Sequence, residues 1–276
     1  MTRKVIFGLC AALVFASLAY LIAQLANNPA ADNKVRPTSQ QPTAVPSKPV
    51  REENNHAGEL QALLGSLVAA KGDYAISVIE PDGRRASVNG GKQYTATSTY
   101  KLFVAYGVFQ RINSGDMHWS DPTFGGHDAS ACFELLIVES NNDCNYAFAD
   151  KIGWQAIDDM MTNIGLAATQ VKWQDNITTA DDLALFLTKL QAGTLLNKGD
   201  TDKLVGLMKR QIHRRGIPAG TGVTVADKPG FLDGLLHDAA IVYGPKGPYI
   251  LVILSDGSSW AELADAAKQI HTFLQQ

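Results

Sequence analysis

The segments of this chain that have the character of β-strands lie near both ends of its folded part, and a long helical stretch separates them. They are residues 74–79, 84–88, 223–226, 239–243 and 249–254. From about residue 113 to about residue 215 the apolar residues recur at helical spacing, and strand signals are scarce. This order predicts an α+β fold, in which one antiparallel sheet is assembled from both chain ends around an inserted all-helical subdomain. A cleft between the sheet and the subdomain is the expected place for a site.

Amphipathic helices flank this strand pattern. The first carries Leu60, Leu64 and Leu67 at helical spacing and ends near Gly72, and the last covers residues 261–274. Between the first two strands, Pro81-Asp82-Gly83 predicts a turn, because proline presets the backbone angle and glycine tolerates the left-handed conformation. The folded domain is therefore predicted to span residues 56–276, with helices packed against the sheet.

The first 26 residues have the pattern of a membrane segment. Arg3 and Lys4 precede an apolar run over residues 5–26, which is long enough to cross a bilayer as a helix. A single-pass anchor and a cleaved signal segment are both compatible with this pattern, and either one places the rest of the chain outside the cytoplasm. Residues 27–55 are rich in Asn, Pro, Gln, Ser and Thr, so they are predicted to form a flexible linker.

Charge and histidine content narrow the classes of ligand. The formal net charge is −3, and nothing in the totals suggests binding to nucleic acid. The 6 histidines are scattered without the spacing of metal ligands. We therefore expect no metal or other cofactor. We also expect a monomer.

Two cysteines fall in the part of the chain that is predicted to be exported. An oxidising compartment permits a disulfide between Cys132 and Cys144. Sequence alone does not place the two sulfurs within bonding distance, so two buried free thiols are an equally good interpretation.

Ser98 and Lys101 form the first motif with catalytic character. They lie three residues apart at the start of a predicted helix, so their side chains share one face. A helix N-terminus and burial both disfavour an ammonium, which would make Lys101 a base and Ser98 a nucleophile. Taken alone, the motif fits a helix cap followed by a solvated lysine better than it fits a catalytic pair.

Two further motifs lie far along the chain. Ser140 and Asn142 follow an apolar stretch, where a hydroxyl can relay a proton and an amide can hold a substrate amide. Lys228 and Gly230 lie beside a strand-like run, where they would supply a positive charge and permit the close approach of a substrate backbone. By themselves, these motifs also suit an interhelix loop and a turn.

In this order, Ser98-Thr99-Tyr100-Lys101, Ser140-Asn141-Asn142 and Lys228-Pro229-Gly230 resemble the three active-site motifs of the class A beta-lactamase and penicillin-binding protein superfamily. The resemblance implies that Ser98 attacks a carbonyl and that Lys101 takes the serine proton. It implies an oxyanion site between the backbone N–H groups of Ser98 and Phe231. It also implies that Ser140 and Lys228 protonate the leaving nitrogen and that Asn142 orients the acyl side chain.

The chain departs from the class A pattern at two places. Class A enzymes use an omega-loop glutamate to activate the deacylating water, yet residues 140–179 contain no glutamate. Asp175 is the acid nearest to the expected position. Pro229 removes the hydroxyl that helps to bind the substrate carboxylate, and Lys228 with Arg214 or Arg215 would have to compensate by charge.

The resemblance therefore predicts an extracytoplasmic serine hydrolase that forms an acyl-enzyme with a beta-lactam or with a D-alanyl peptide of the cell wall. Slow deacylation, as in a D,D-peptidase or transpeptidase, is the first alternative, and the missing glutamate favours it. A non-catalytic cell-wall-binding module is the second alternative. The expected partners are a small beta-lactam or a peptidoglycan stem peptide, and the membrane through the N-terminal segment.

Overall fold

The computed structural model describes residues 50–276, and these form nine helices, nine strands and two short irregular helical segments. The elements that precede the subdomain are α1 (Val50–Lys71), β1 (Asp73–Ile79), β2 (Arg85–Val88), β3 (Tyr94–Thr95) and a 3-10 helix (Thr97–Tyr100). The subdomain and its connections contain α2 (Lys101–Ser114), β4 (Pro122–Phe124), β5 (His127–Asp128), α3 (Ala129–Glu134), a π-helical segment (Leu135–Glu139), α4 (Asn142–Ile152), α5 (Trp154–Asn163), β6 (Ile177–Thr178), α6 (Ala180–Gln191), α7 (Lys198–Lys209) and α8 (Ile217–Thr221). The closing elements are β7 (Thr224–Leu232), β8 (Leu235–Gly244), β9 (Gly247–Asp256) and α9 (Trp260–Leu274).

Five of the strands form one antiparallel sheet with the order β2-β1-β9-β8-β7. The first strand of the domain lies beside the last, and Asp73 of β1 is paired with Asp256 of β9. β7 forms the edge of the sheet and pairs only with β8. The predicted α+β fold, with a sheet drawn from both chain ends, is therefore confirmed.

Helices cover both faces of the sheet because its strands bury apolar side chains on both sides. On one face, Leu64 of α1 and Ile270 of α9 share a core with Ile253 of β9. On the other face, Leu187 of α6 lies in a second core with Leu254 of β9. Because successive side chains of a strand point in opposite directions, Ile253 and Leu254 anchor the two layers separately.

The N-terminal predictions fall largely outside the described residues. The predicted membrane segment, residues 1–26, lies there completely, as does the predicted linker up to residue 49. Helix α1 begins at Val50, ahead of the start of the domain that the sequence predicts at His56. Within residues 50–276, no helix has the length and apolar character that a bilayer crossing requires.

Strand β7 extends further than its sequence predicts. We expect a strand over residues 223–226, whereas the observed strand continues through Lys228 and Gly230 to Leu232. Charged residues, proline and glycine all have low strand propensity, which is why the pattern ends early. Pairing with the long strand β8 overrides this local preference. The third motif therefore lies inside an edge strand.

A disulfide joins Cys132 of α3 to Cys144 of α4. The two Cα atoms lie 5.3 Å apart, and both side chains are buried. The sequence left a disulfide and two free thiols open, and the structure contains the disulfide. It fastens the beginning of α4, where Asn142 lies, to the preceding helix.

Candidate active site

Ser98 lies in a single 3-10 turn that leads directly into the buried helix α2. Thr97, just before it, has a positive φ of 48°, which is rare for a β-branched residue and turns the chain sharply into the helix. Ser98 is partly exposed and lines a cleft of about 210 Å³ between the sheet and the helical subdomain. The serine is therefore accessible to a ligand, as the sequence predicts.

The glycine of the third motif permits strand β7 to approach this turn. A Cβ atom on Gly230 would lie 2.0 Å from Oγ1 of Thr97 and 2.7 Å from the backbone nitrogen of Ser98. No side chain fits in that space, so only glycine lets the edge strand and the serine turn meet. The contact places the backbone of Ser98 directly against β7.

The position of Pro229 indicates which N–H groups of strand β7 point away from β8. Proline has no N–H, so within a sheet its nitrogen lies where no ladder hydrogen bond is made. In edge strand β7 that direction is away from β8. Backbone groups two residues apart in a strand point the same way, so the N–H of Phe231 also faces outward. The backbone nitrogen of Ser98 lies close to Gly230, so Ser98 and Phe231 are the two residues whose N–H groups could donate to one ligand atom.

Lys101 is buried at the start of α2, and its amine contacts the Ser140 loop. Its Nζ donates to the carbonyl oxygen of Ser140 and to Oδ1 of Asn142 at 2.7 Å, and it lies 3.2 Å from Oγ of Ser140. Burial lowers the pKa of Lys101 to about 8. Two carbonyl acceptors fit the two N–H groups of a neutral amine, so the site suits a lysine that titrates near neutrality.

The direct contact between Ser98 and Lys101 that their spacing predicts is not formed. Among the described residues, no hydrogen bond joins their side chains, although both lie on one helical turn. The physical reason is that a buried amine requires acceptors. The loop at Ser140 supplies three oxygen atoms for it, whereas the hydroxyl of Ser98 is partly open to solvent.

Ser140 occupies a strained position between the two lysines. It follows the π-helical segment and has a positive φ of 60°, which directs both its carbonyl and its hydroxyl oxygen to Lys101. Nζ of Lys228 donates to the same hydroxyl at 2.8 Å. Strained backbone of this kind is common at functional sites. One hydroxyl therefore connects the second and third motifs.

Lys228 is completely buried on β7, and its amine faces the cleft side of the sheet. Burial holds its pKa well below its ordinary value, and the nearby charge of Lys101 lowers it further. Its second acceptor is the carbonyl oxygen of Pro229 at 3.1 Å. Two amines with lowered pKa values thus lie on either side of one hydroxyl, which is a suitable arrangement for proton transfer.

The cleft walls separate into a polar and an apolar set. The polar side chains are Thr95, Thr97, Ser98, Asn142, Gln174 and Asn176. The larger side chains, aromatic or aliphatic, are Tyr100, Tyr146, Phe231 and Leu232. None of these cleft-lining residues carries a carboxylate.

Two predicted site residues lie outside this lining. Asp175 is exposed, and its neighbours Gln174 and Asn176 face the cleft instead. Gln174 has a positive φ of 60°, and this tight bend turns the intervening aspartate outward. Arg215 is also exposed, while Arg214 is occupied by a salt bridge of 2.7 Å to Asp227. Asp175 and Arg215 thus lie outside the cleft lining, which gives no support to their predicted roles there.

His237 is a further residue of the site that the sequence did not indicate. It is buried on β8 opposite Gly230, and its Nε2 lies 3.0 Å from the carbonyl oxygen of Thr95, which lines the cleft. Nδ1 accepts a hydrogen bond from the N–H of Ser255 at 3.2 Å, so Nε2 is the protonated nitrogen. Burial lowers the pKa of His237, which keeps it neutral. It ties the segment before Ser98 to the sheet.

Metal ligation finds no support in the described part of the chain, where no three His, Cys, Asp or Glu side chains come together as ligands.

Comparisons with known proteins find solved structures that are similar to this chain in fold. A beta-lactamase from Sphaerobacter thermophilus has 18% identity and a TM-score of 0.70, with 78% of this chain and 95% of that chain covered. PBP-A has 20% identity and a TM-score of 0.70, with coverage of 83% and 98%. A class A beta-lactamase of the last common ancestor of Gram-negative bacteria has 21% identity and a TM-score of 0.71, with coverage of 77% and 98%.

These solved structures share the fold of the chain. No curated protein matches it in sequence. The family model described as "Beta-lactamase enzyme family" matches residues 127–274, which include the second and third motifs. The chain belongs to the beta-lactamase enzyme family.

Proposed function

We propose that this protein is an extracytoplasmic serine acyl-enzyme, which is acylated at Ser98 by a beta-lactam or a D-alanyl peptide amide and is deacylated slowly. The observation that carries the proposal is the pair of buried lysines on either side of the Ser140 hydroxyl, beside a partly exposed serine. Burial lowers the pKa of both amines, to about 8 for Lys101, and a base with a lowered pKa is what activation of a serine requires.

Acylation follows from these positions. Oγ of Ser98 attacks the carbonyl carbon, and its proton passes to the neutral amine of Lys101. The two lie on one helical turn, and apo contacts of this kind often tighten only when substrate binds. The N–H groups of Ser98 and Phe231 donate to the oxygen that becomes negative. The carbon–nitrogen bond then breaks, and the nitrogen receives a proton through Ser140, which is resupplied by Lys101 or Lys228.

Slow deacylation is favoured by the chemistry of the cleft lining. Hydrolysis of the ester needs a group that removes a proton from water. The loop that faces the cleft contributes the amides of Gln174 and Asn176, and an amide is not a base at neutral pH. A mutant of the similarly folded PBP-A has been captured as an acyl-enzyme complex with penicillin G. This relative makes penicillin G a reasonable first probe.

The test is to follow the intact mass of the purified full chain after addition of penicillin G, with Ser98→Ala as the control. We expect a persistent adduct on the wild-type protein and none on the variant. A transient adduct with accumulating penicilloic acid would instead identify an efficient beta-lactamase. If neither penicillin G nor a D-alanyl-D-alanine peptide gave an adduct or product, the non-catalytic wall-binding module would be the better description.

A further inference from the structure

Three aromatic side chains pack together beside the cleft, and one of them, Tyr146, belongs to the cleft lining. Tyr146, which lines the cleft, lies 5.1 Å from Trp173 between ring centroids and 6.4 Å from Trp154. The two tryptophans are 5.5 Å apart. We call these three residues the aromatic platform. Trp173 is 50% exposed, and it lies next to the cleft, because its ring partner Tyr146 and the following residue Gln174 both line it.

The platform lies along the helix face that a substrate would follow beyond a carbonyl group bound at Asn142. Oδ1 of Asn142 accepts a hydrogen bond from Lys101, which leaves its NH₂ group to donate to a substrate carbonyl. Tyr146 is four residues further along α4, so it lies on the same helix face as Asn142. A substituent attached to a carbonyl bound at Asn142 therefore meets Tyr146 first and Trp173 next.

The other wall of the cleft is also apolar. Phe231 and Leu232, at the end of β7, line the cleft and are about half exposed. No Asp, Glu, Lys, Arg or His belongs to the cleft lining described above, because the two lysines of the site are buried behind it. A charged substituent would lose its hydration between these walls without gaining a partner. A flat apolar group gains ring contacts on either side.

We infer that the aromatic platform is a specificity subsite, which selects substrates whose acyl group bears an uncharged aromatic ring beyond its amide carbonyl. This inference rests on the proposed function, since the acyl group is the one transferred to Ser98. The platform contributes to binding and to orientation, and it takes no part in the proton transfers.

The test compares acylation by benzylpenicillin, which carries a phenylacetyl group, with acylation by 6-aminopenicillanic acid, which lacks it. The full chain is used as wild type and as Trp173→Ala, Trp173→Phe and Phe124→Ala. Phe124 is the matched control, because it is 47% exposed and lines a separate surface depression in the β4–β5 hairpin, whereas Trp173 contacts the cleft-lining Tyr146. The quantity measured is the ratio of the second-order acylation rates for the two compounds.

We expect Trp173→Ala to lower that ratio about three- to tenfold, as loss of a ring contact predicts, while Trp173→Phe retains most of it and Phe124→Ala changes nothing. An unchanged ratio in Trp173→Ala would overturn the inference. If Trp173→Ala keeps the ratio but no longer binds N-acetylglucosamine oligomers, the inference is also overturned, because the platform would then bind a saccharide.

The failure of the proposed function gives a different result. If neither compound acylates wild-type protein, Ser98 is not the nucleophile for beta-lactams, and the subsite is tested by binding alone. Quenching of tryptophan fluorescence by N-phenylacetylglycinamide should then exceed quenching by N-acetylglycinamide, and Trp173→Ala should remove the difference. Equal quenching by the two amides would overturn the subsite.

Discussion

At the scale of single residues, the protonation of Lys101 governs whether Ser98 can be activated. The amine accepts a proton only in its neutral form, and its pKa is lowered by burial to about 8. The acylation rate should therefore fall about tenfold for each pH unit below that value and level off above it. Stopped-flow acylation between about pH 6 and pH 10 measures this profile. A rate that stays flat across the range would show that Lys101 is not the base.

Gln174 is the position at which the proposed slow deacylation can be tested at the same scale. It lines the cleft from the loop before β6, and Gln174→Glu would place a carboxylate there. We expect the adduct with penicillin G to be hydrolysed about ten- to a hundredfold faster, since a positioned general base contributes at least that much. The half-life of the adduct by mass spectrometry is the measurement.

The matched control is Gln170→Glu, which adds the same charge to the same loop. Gln170 pairs with Ile177 and does not belong to the cleft lining. An equal gain in both variants would mean that charge alone, rather than a base in the cleft, accelerates hydrolysis.

Sequence reasoning is most specific at this scale where a residue type is tied to one chemical role. The amines of Lys101 and Lys228 both lie at the hydroxyl of Ser140, and Ser98 lines the cleft, while the catalytic roles of the four residues remain predictions. Gln174 was missed because the expected group was an acid, and the nearest acid in the sequence turned out to face solvent. Its position depends on a bend of the loop, which no pattern of residue types specifies.

At the scale of elements, the disulfide determines how firmly the Ser140 loop is held. Cys144 lies in the first turn of α4, which begins at Asn142, and the bridge fastens it to α3. Replacing Cys132 and Cys144 together by alanine should lower the free energy of unfolding by about 3 kcal/mol, as expected for closing a loop of this size. Acylation should slow as well, since Ser140 and Asn142 lose their anchorage. Denaturant unfolding and acylation kinetics measure the two effects.

Reduction supplies the control for this prediction. Dithiothreitol should lower the Tm of the wild-type protein and leave that of the double variant unchanged. Equal stability of the two oxidised proteins would contradict a structural role for the bridge.

The strands illustrate what local sequence determines and what pairing determines. The order of the elements, and hence the sheet, follows from apolar periodicity, because buried faces dictate that spacing. The length of β7 does not follow from this periodicity. The strand includes four weak strand formers, Asp227, Lys228, Pro229 and Gly230. Pairing along the whole strand, at nine residue pairs with β8, holds them in place. The catalytic strand is therefore the element that the sequence describes least well.

At the scale of the whole molecule, two buried carboxyl groups join the strands at the edge of the sheet to helix α8 and to the segment that precedes it. Asp238 of β8 accepts a hydrogen bond from the N–H of Ile217 in α8 at 2.8 Å, and Asp227 of β7 binds Arg214. One oxygen atom of each carboxyl group has no hydrogen-bond partner. Burial raises the pKa of Asp238 to about 7, and burial together with the charge of Asp238 raises the pKa of Asp227 well above its usual range.

These pKa shifts predict that the fold is stabilised by mild acid. A carboxyl group with a raised pKa holds its proton in the folded state after the unfolded chain has released it. Its contribution to stability is therefore complete below the unfolded pKa and is lost as the pH rises through the folded pKa, here between about 4 and about 7. Asp238→Asn keeps the acceptor for Ile217 and cannot ionise. Relative to this variant, the wild-type protein should lose at least about 1 kcal/mol of unfolding free energy between those pH values, the equivalent of one pKa unit.

Urea unfolding at several pH values measures the difference, and Asp233→Asn, in the exposed turn between the same two strands, is the control. Because Asp238 and its partners connect the sheet, α8 and the segment at Arg214, the effect should be seen in global unfolding rather than in local opening of one loop. A difference between wild type and Asp238→Asn that does not vary with pH would mean that the carboxyl group is ionised in the folded protein throughout, with Arg214 and Lys228 outweighing the effect of burial.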